Sequence, residues 1–258
     1  MNWLSFFDPY SFQARLQPAL VVLIPLIVTS AIFFPDIYTG FKVLVPTLST
    51  FGGALVLSNF ARSQGRAKER ELYKKWGGRP TTIWLRHSDA QLDPITKGRY
   101  HKFLSSHVPD WVAPTEEQEA QDLRYADTCY DAAVKWLLEF TRNAKKYPLV
   151  AKENVAYGFR RNLYGLRSTG VAVTIVCMVV ELVVLANARI HSSLLDLFQV
   201  FGTAFTLIVL GCWMLAVNEP WVKDAADGYA RVLLASCDIG ASASPVRAPS
   251  KKTKKATA

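Results

Sequence analysis

Four runs of apolar residues, at 18–34, 41–61, 168–188 and 194–217, constrain this chain more than any other feature. Each is close to the roughly 17–25 residues a helix needs to cross ~30 Å of hydrocarbon. A length of 258 residues would by itself suggest two soluble domains. The runs override that expectation, because half of the chain is apolar and those residues are gathered rather than spread. Pro35-Asp36-Ile37-Tyr38-Thr39-Gly40 reads as a turn, and a short polar stretch at 189–193 separates the last two runs. Each pair is therefore a helical hairpin. Pro25 removes one backbone hydrogen bond inside the first run, which predicts a kink. The fold class is mainly α: a polytopic membrane protein in which two transmembrane hairpins, four spans, flank a helical cytoplasmic domain.

Lysine and arginine are retained on the cytoplasmic side, and they set the orientation. Arg62, Arg66, Lys68, Arg70, Lys74, Lys75 and Arg79 follow the second run, and Arg160, Arg161 and Arg167 precede the third. The two hairpin turns offer only Lys42 and Arg189 at their edges. Both turns are expected outside, with both termini and the middle domain inside. The chain divides into an N-terminal interfacial segment and first hairpin (1–61), a basic cytoplasmic domain (62–167), the second hairpin (168–218), an amphipathic helix (219–241) and a basic tail (242–258). The aromatic lead-in Trp3, Leu4, Phe6, Phe7, Tyr10 and Phe12 suits either the membrane interface or burial against other helices. No small-residue cleavage pattern of a signal peptide follows Arg15.

Glu181 lies deep in the third run. A carboxyl at such depth costs a few kcal/mol and usually finds a partner or lines water. Thr174, Cys177, Met178 and Leu185 lie within a turn or two of it. The fourth run carries Gln199, Thr203 and Thr206 on one face, and the second carries Thr47, Ser49, Thr50, Gly52 and Gly53. Small and hydroxylated faces hold helices together by close approach and hydrogen bonds. The same residues can line a pore, so Glu181, Thr203 and Thr206 are candidates for a lumen or gate.

The middle domain is charge-segregated. Residues 62–102 carry a net +7, residues 110–139 a net −6 and residues 142–167 a net +6. An acidic helix packed between basic ones would neutralise part of that charge. The second run is expected to continue as a helix to Trp76, stopping at Gly77-Gly78. Thr81 to Leu85, β-branched and aromatic, reads as a strand without an obvious partner. Asp93-Pro94 caps and starts a helix to about Ser105. Thr115-Glu116-Glu117-Gln118 fits a capping box, followed by one long amphipathic helix to about Lys146. A last helix, from Lys152 to Arg167, leads into the third run with a break near Gly165. After the fourth run, a helix from Pro220 to about Cys237 places Val222, Ala226, Tyr229 and Leu233 on one side. The tail from Ser242 reads as disordered.

Cationic side chains interleaved with aromatic ones suit phosphates and stacked bases. Arg79, Arg86, Lys97, Arg99, Lys102, Arg160 and Arg161 are the candidate phosphate ligands, with Trp84 and Tyr100 as stacking groups. Basic residues beside a membrane also hold anionic headgroups, the plainer role for residues 62–75. The four cysteines form no CxxC pair, and the four histidines show no metal spacing. Neither a phosphate-binding P-loop nor a GxSxG motif occurs, so no enzyme, metal or cofactor is expected.

The stretch Asn154-Val155-Ala156-Tyr157-Gly158-Phe159-Arg160-Arg161-Asn162-Leu163-Tyr164-Gly165-Leu166-Arg167, running into a span, resembles a segment of bacterial membrane proteins. A cytoplasmic sensor set between membrane helices is similar to small membrane effectors of bacterial anti-phage defence systems. That resemblance implies an inner-membrane, homo-oligomeric channel or effector gated by a nucleotide or single-stranded nucleic acid. The second expectation is a non-conducting anchor or scaffold that recruits a cytoplasmic protein partner through the acidic helix.

Overall fold

Apolar length decides the first layer of the fold. The computed structural model describes residues 9–35, 53–190 and 197–243. Three helices in it are long and apolar enough to cross a membrane: Phe12–Phe33 with 22 residues, Arg167–Ala188 with 22 and Leu197–Leu215 with 19. At 1.5 Å per residue, 22 residues reach about 33 Å, enough for a hydrocarbon core of about 30 Å. Most of the second expected span, including Thr47, Ser49, Thr50 and Gly52, lies outside the described residues, as do residues 36–40 and 191–196 of the hairpin turns, residues 1–8 of the aromatic lead-in and residues 244–258 of the tail.

The helices follow in order as α1 (Gln17–Phe33), α2 (Gly53–Trp76), α3 (Pro80–Ile83), α4 (Pro94–His107), α5 (Glu116–Gln121), α6 (Leu123–Phe140), α7 (Pro148–Gly165), α8 (Arg167–Ile190), α9 (Leu197–Leu215) and α10 (Glu219–Ala243). A π-helical turn, Phe12–Leu16, leads into α1. The chain is mainly helical, with no strand among the described residues.

Local signals set many helix ends. Asp93 accepts a hydrogen bond from the Thr96 amide and Pro94 takes the first position of α4. Thr115 and Gln118 close a reciprocal capping box on α5. Gly77 takes φ +80° after Trp76, and the Gly78 amide reaches back to the Tyr73 carbonyl at 2.8 Å. This is a glycine-terminated helix end, in which a Cβ would be strained.

Two expectations are corrected. Residues 81–85 are not a strand: α3 is a helical turn begun by Pro80, and the Thr82 hydroxyl is engaged by Asp131. Side-chain partners remote in sequence outweighed the local β preference. The single helix expected up to about Lys146 is two helices. Asp122, at φ −143° and ψ 89°, interrupts it and caps α6 by accepting from the Arg124 and Tyr125 amides, both at 3.0 Å. Asparagine 143 then turns the chain after Phe140, accepting from the Lys145 amide.

The contacts divide the chain into two units, Met1–Pro80 with Pro148–Ala230, and Thr81–Tyr147 with Arg231–Ala258. In the first unit α8 packs on α9 and α1, while α2 packs on α7 and both meet the π-helical turn. Glycines permit the close crossings. A Cβ on Gly165 would fall 2.5 Å from the Gly65 nitrogen, and one on Gly170 would fall 2.3 Å from the Trp213 ring. In the second unit Leu85, Leu104, Tyr130 and Leu137 are fully or almost fully buried. Beside them Phe103, Trp136 and Phe140 stack edge and face, and Gly240 of α10 lies against Phe103.

Candidate functional site

On α8, Thr174, Cys177 and Glu181 recur at spacings of three and four, so they share one face. That face meets α1 and α9. Glu181 Oε1 accepts hydrogen bonds from Thr29 Oγ1 at 2.6 Å and from Thr206 Oγ1 at 2.9 Å. Its Oε2 is buried with no hydrogen-bond partner among the described residues. Glu181 and Thr206 are both 0% exposed, so in this chain they join three helices from within rather than face an opening. Thr203 is not part of the cluster; its hydroxyl donates to the Gln199 carbonyl of its own helix at 3.0 Å. The hydroxyl of α1 that completes the clasp, Thr29, was not singled out by sequence, because one threonine in an apolar run carries no periodic signal.

The basic residues of the second unit are largely engaged within it. Arg86 grips Asp127 through two parallel hydrogen bonds of 2.7 and 2.8 Å, with its side chain only 12% exposed. Such a fork-to-carboxylate pair uses the geometry that would otherwise take phosphate. Lys97 is buried, and its ammonium donates to the carbonyls of Arg86 at 2.6 Å and Asp89 at 2.5 Å. Arg99 pairs with Asp238 at 3.1 Å, and Lys102 is exposed. Trp84 is 3% exposed with the Arg231 guanidinium 5.9 Å from its ring centre. Tyr100 is 5% exposed, and burial pushes its hydroxyl up to about 12. Neither ring offers an open face on which a base could stack.

Glu119, which sequence reasoning passed over, organises this unit. It accepts from the His87 amide at 2.8 Å, the Ser88 amide at 3.0 Å, the Ser88 hydroxyl at 2.7 Å and the Tyr130 hydroxyl at 2.9 Å. Burial alone would raise its pKa. The hydrogen bonds from Ser88, His87 and Tyr130 outweigh burial and hold it below the usual carboxylate value. Nearby, His101 stacks on Tyr130 and donates to the Leu85 carbonyl at 2.8 Å. Burial holds this imidazole below the ordinary histidine value.

In the first unit Arg79 lies over the Tyr73 ring at 5.8 Å. Arg160 binds Asp224 at 2.7 Å and the Trp221 carbonyl at 2.9 Å, and its guanidinium covers the Trp221 ring. Arg161 donates to Glu69 at 2.9 Å, where the hydroxyls of Tyr157 and Tyr73 also donate, at 2.7 and 3.1 Å. The fully buried Asn162 donates to the Ala14 carbonyl at 2.6 Å, giving that carbonyl of the π-helical turn a partner. Seven candidate cations are therefore spread over two units, and most are turned toward carboxylates, carbonyls or rings of the same unit.

Among the described residues no group of three or more His, Cys, Asp or Glu side chains is placed to hold a metal ion. No protein-family model matches the chain, and neither curated proteins nor solved structures give a significant match. The class the structure defines is a mainly helical protein with three helices of membrane-spanning length and composition.

Proposed function

We propose that this protein is a non-conducting membrane anchor or scaffold whose helical second unit recruits a protein partner in the cytoplasm. The chain crosses the membrane four times, with residues 41–61 as the second span, and keeps both termini and residues 62–167 on the cytoplasmic side. The observation that carries the reading is the internal engagement of Arg86, Lys97, Arg99, Arg160 and Arg161, together with the burial of Trp84 and Tyr100. A ligand-gated effector needs cations and rings available to a phosphate-rich regulator; here a regulator would first have to displace carboxylates. Burial of Glu181 and Thr206 inside one chain supports the same choice, since a lumen group needs water.

Exposed apolar faces on α8 and α9, including Val176, Val183, Leu207 and Ile208, suit lipid, whereas in water so much contiguous apolar surface would be costly. The recruiting surface is the acidic stretch 116–139, in which Leu123 and Tyr125 are exposed. Tyr125 is 59% exposed, and Glu116 and Glu117 are exposed as well. Its partner is a protein segment with basic and apolar side chains. The test is ion or dye flux from liposomes that hold the purified full chain, with and without nucleotides and short oligonucleotides. The expected result is no flux in either condition. Flux that appears on adding nucleotide would replace this reading with the gated effector.

A further inference from the structure

One group of arginines differs from the rest. Arg62, Arg66 and Arg70 recur every four residues along α2, and with Asn59, Ser63 and Ala67 they line one open groove. The two carboxylates of this stretch are used elsewhere: Glu71 pairs with Lys68, and Glu69 takes Arg161. Among the described residues no carboxylate pairs with Arg62, Arg66 or Arg70. Burial, and then repulsion from Arg15 and Arg66, holds the Arg62 guanidinium below its ordinary value. A cation cluster of this kind is relieved by an anion.

The geometry points to a binding site for the headgroup of an anionic phospholipid at Asn59, Arg62, Ser63, Arg66 and Arg70. The site rests on the reading above that α2 leaves the hydrocarbon near Ala61. Successive arginines are then about 6 Å apart along the helix axis. The headgroup layer is about 5–7 Å deep on each side of the membrane. Counted from Ala61, Arg62 thus lies within it, Arg66 at its aqueous edge and Arg70 one helical turn beyond, from where its long side chain reaches back toward the headgroup. Guanidinium forks suit phosphate oxygens, and Asn59 and Ser63, both exposed, are placed to hydrogen-bond the glycerol side of the headgroup. Neutral phosphatidylcholine presents the same phosphate beside a fixed cation, which the three arginines repel.

Native mass spectrometry of the detergent-purified full chain tests this, with phosphatidylglycerol and phosphatidylcholine offered at equal concentration. The expected result is one phosphatidylglycerol retained per chain, weakened about tenfold or more in R62Q/R66Q/R70Q, since each surface cation contributes about 1 kcal/mol toward anionic lipid. A charge-matched control, K135Q/K145Q/K146Q, keeps the lipid. R66Q and R70Q, which alter exposed side chains, are also measured singly, each with a smaller loss, so that misfolding of the triple variant does not decide the matter. Equal retention of both lipids, or equal retention by wild type and all variants, overturns the site. So does displacement of the lipid by excess inorganic phosphate, which would make the groove a soluble-phosphate site. Extraction of the wild-type chain from membranes by alkaline carbonate would instead defeat the anchor reading and is scored separately.

Discussion

Each unit buries one glutamate, and the two are satisfied in different ways. In the second unit Glu119 uses both oxygens and receives four hydrogen bonds, two of them from backbone amides. In the first, Glu181 concentrates two threonine hydroxyls on one oxygen and leaves the other without a partner. A carboxylate with four donors pins a loop to a helix and is hard to replace. A carboxyl held through one oxygen is a clasp between helices, and an amide can reproduce it. At these two glutamates the first unit relies on a clasp between helices and the second on a dense polar network.

The largest effect is expected where backbone meets backbone. Gly165→Ala puts a methyl group 2.5 Å from the Gly65 nitrogen, and nothing there can rotate away. The variant should lose about 3 kcal/mol or more, read as loss of the monodisperse peak in detergent chromatography. If the second unit is independent, hydrogen exchange at Leu104 and Leu137 stays protected in that variant.

Glu119→Ala ranks next. It strands two amides and two hydroxyls, and should cost about 3 kcal/mol through unpaired buried donors, measured as a fall in melting temperature. Glu119→Gln should cost almost as much, because the amide nitrogen cannot accept. At position 181 the order reverses. Glu181→Gln keeps an oxygen for Thr29 and Thr206 and should cost no more than about 1 kcal/mol, in line with the modest worth of hydrogen bonds between membrane helices. A Glu181→Gln chain that unfolds as readily as Glu119→Gln would erase the distinction.

Acid sharpens the comparison with a smaller effect. Burial lowers the folded-state value of His101, so its contribution is complete above the unfolded value of about 6.5 and is lost as pH falls further. Glu119 is likewise held low; its contribution is complete above about 4.5 and is lost as pH falls through the folded value. Melting of the second unit should therefore drop as pH falls below about 6.5, and more steeply below about 4.5. His101→Gln should flatten the first step and leave the second.

What sequence made legible was local. The apolar runs, the Asp93 and Thr115 caps, the glycine stop at Gly77 and the break near Gly165 depend on residues within a few positions of one another. What it hid was long-range. Arg86 meets Asp127 across 41 positions and Arg161 meets Glu69 across 92, and no periodicity announces such pairs. The carboxylate, carbonyl and ring partners of the basic stretches were likewise out of view in the sequence. Asp122 falls inside the single helix expected up to about Lys146, and its role as a cap appears only where the backbone turns. Glu181 stood out, being a carboxyl in an apolar run, but Thr29 and Thr206 had to be brought to it by folding.

The claim that these cations serve the fold is tested most directly by equilibrium binding of a labelled single-stranded oligonucleotide to the full chain in detergent, for wild type, Arg86→Gln and Arg99→Gln. The account predicts that neither substitution changes binding, while Arg86→Gln lowers the melting temperature because Asp127 loses its partner. Saturable binding that disappears in either variant, with melting unchanged, would contradict it.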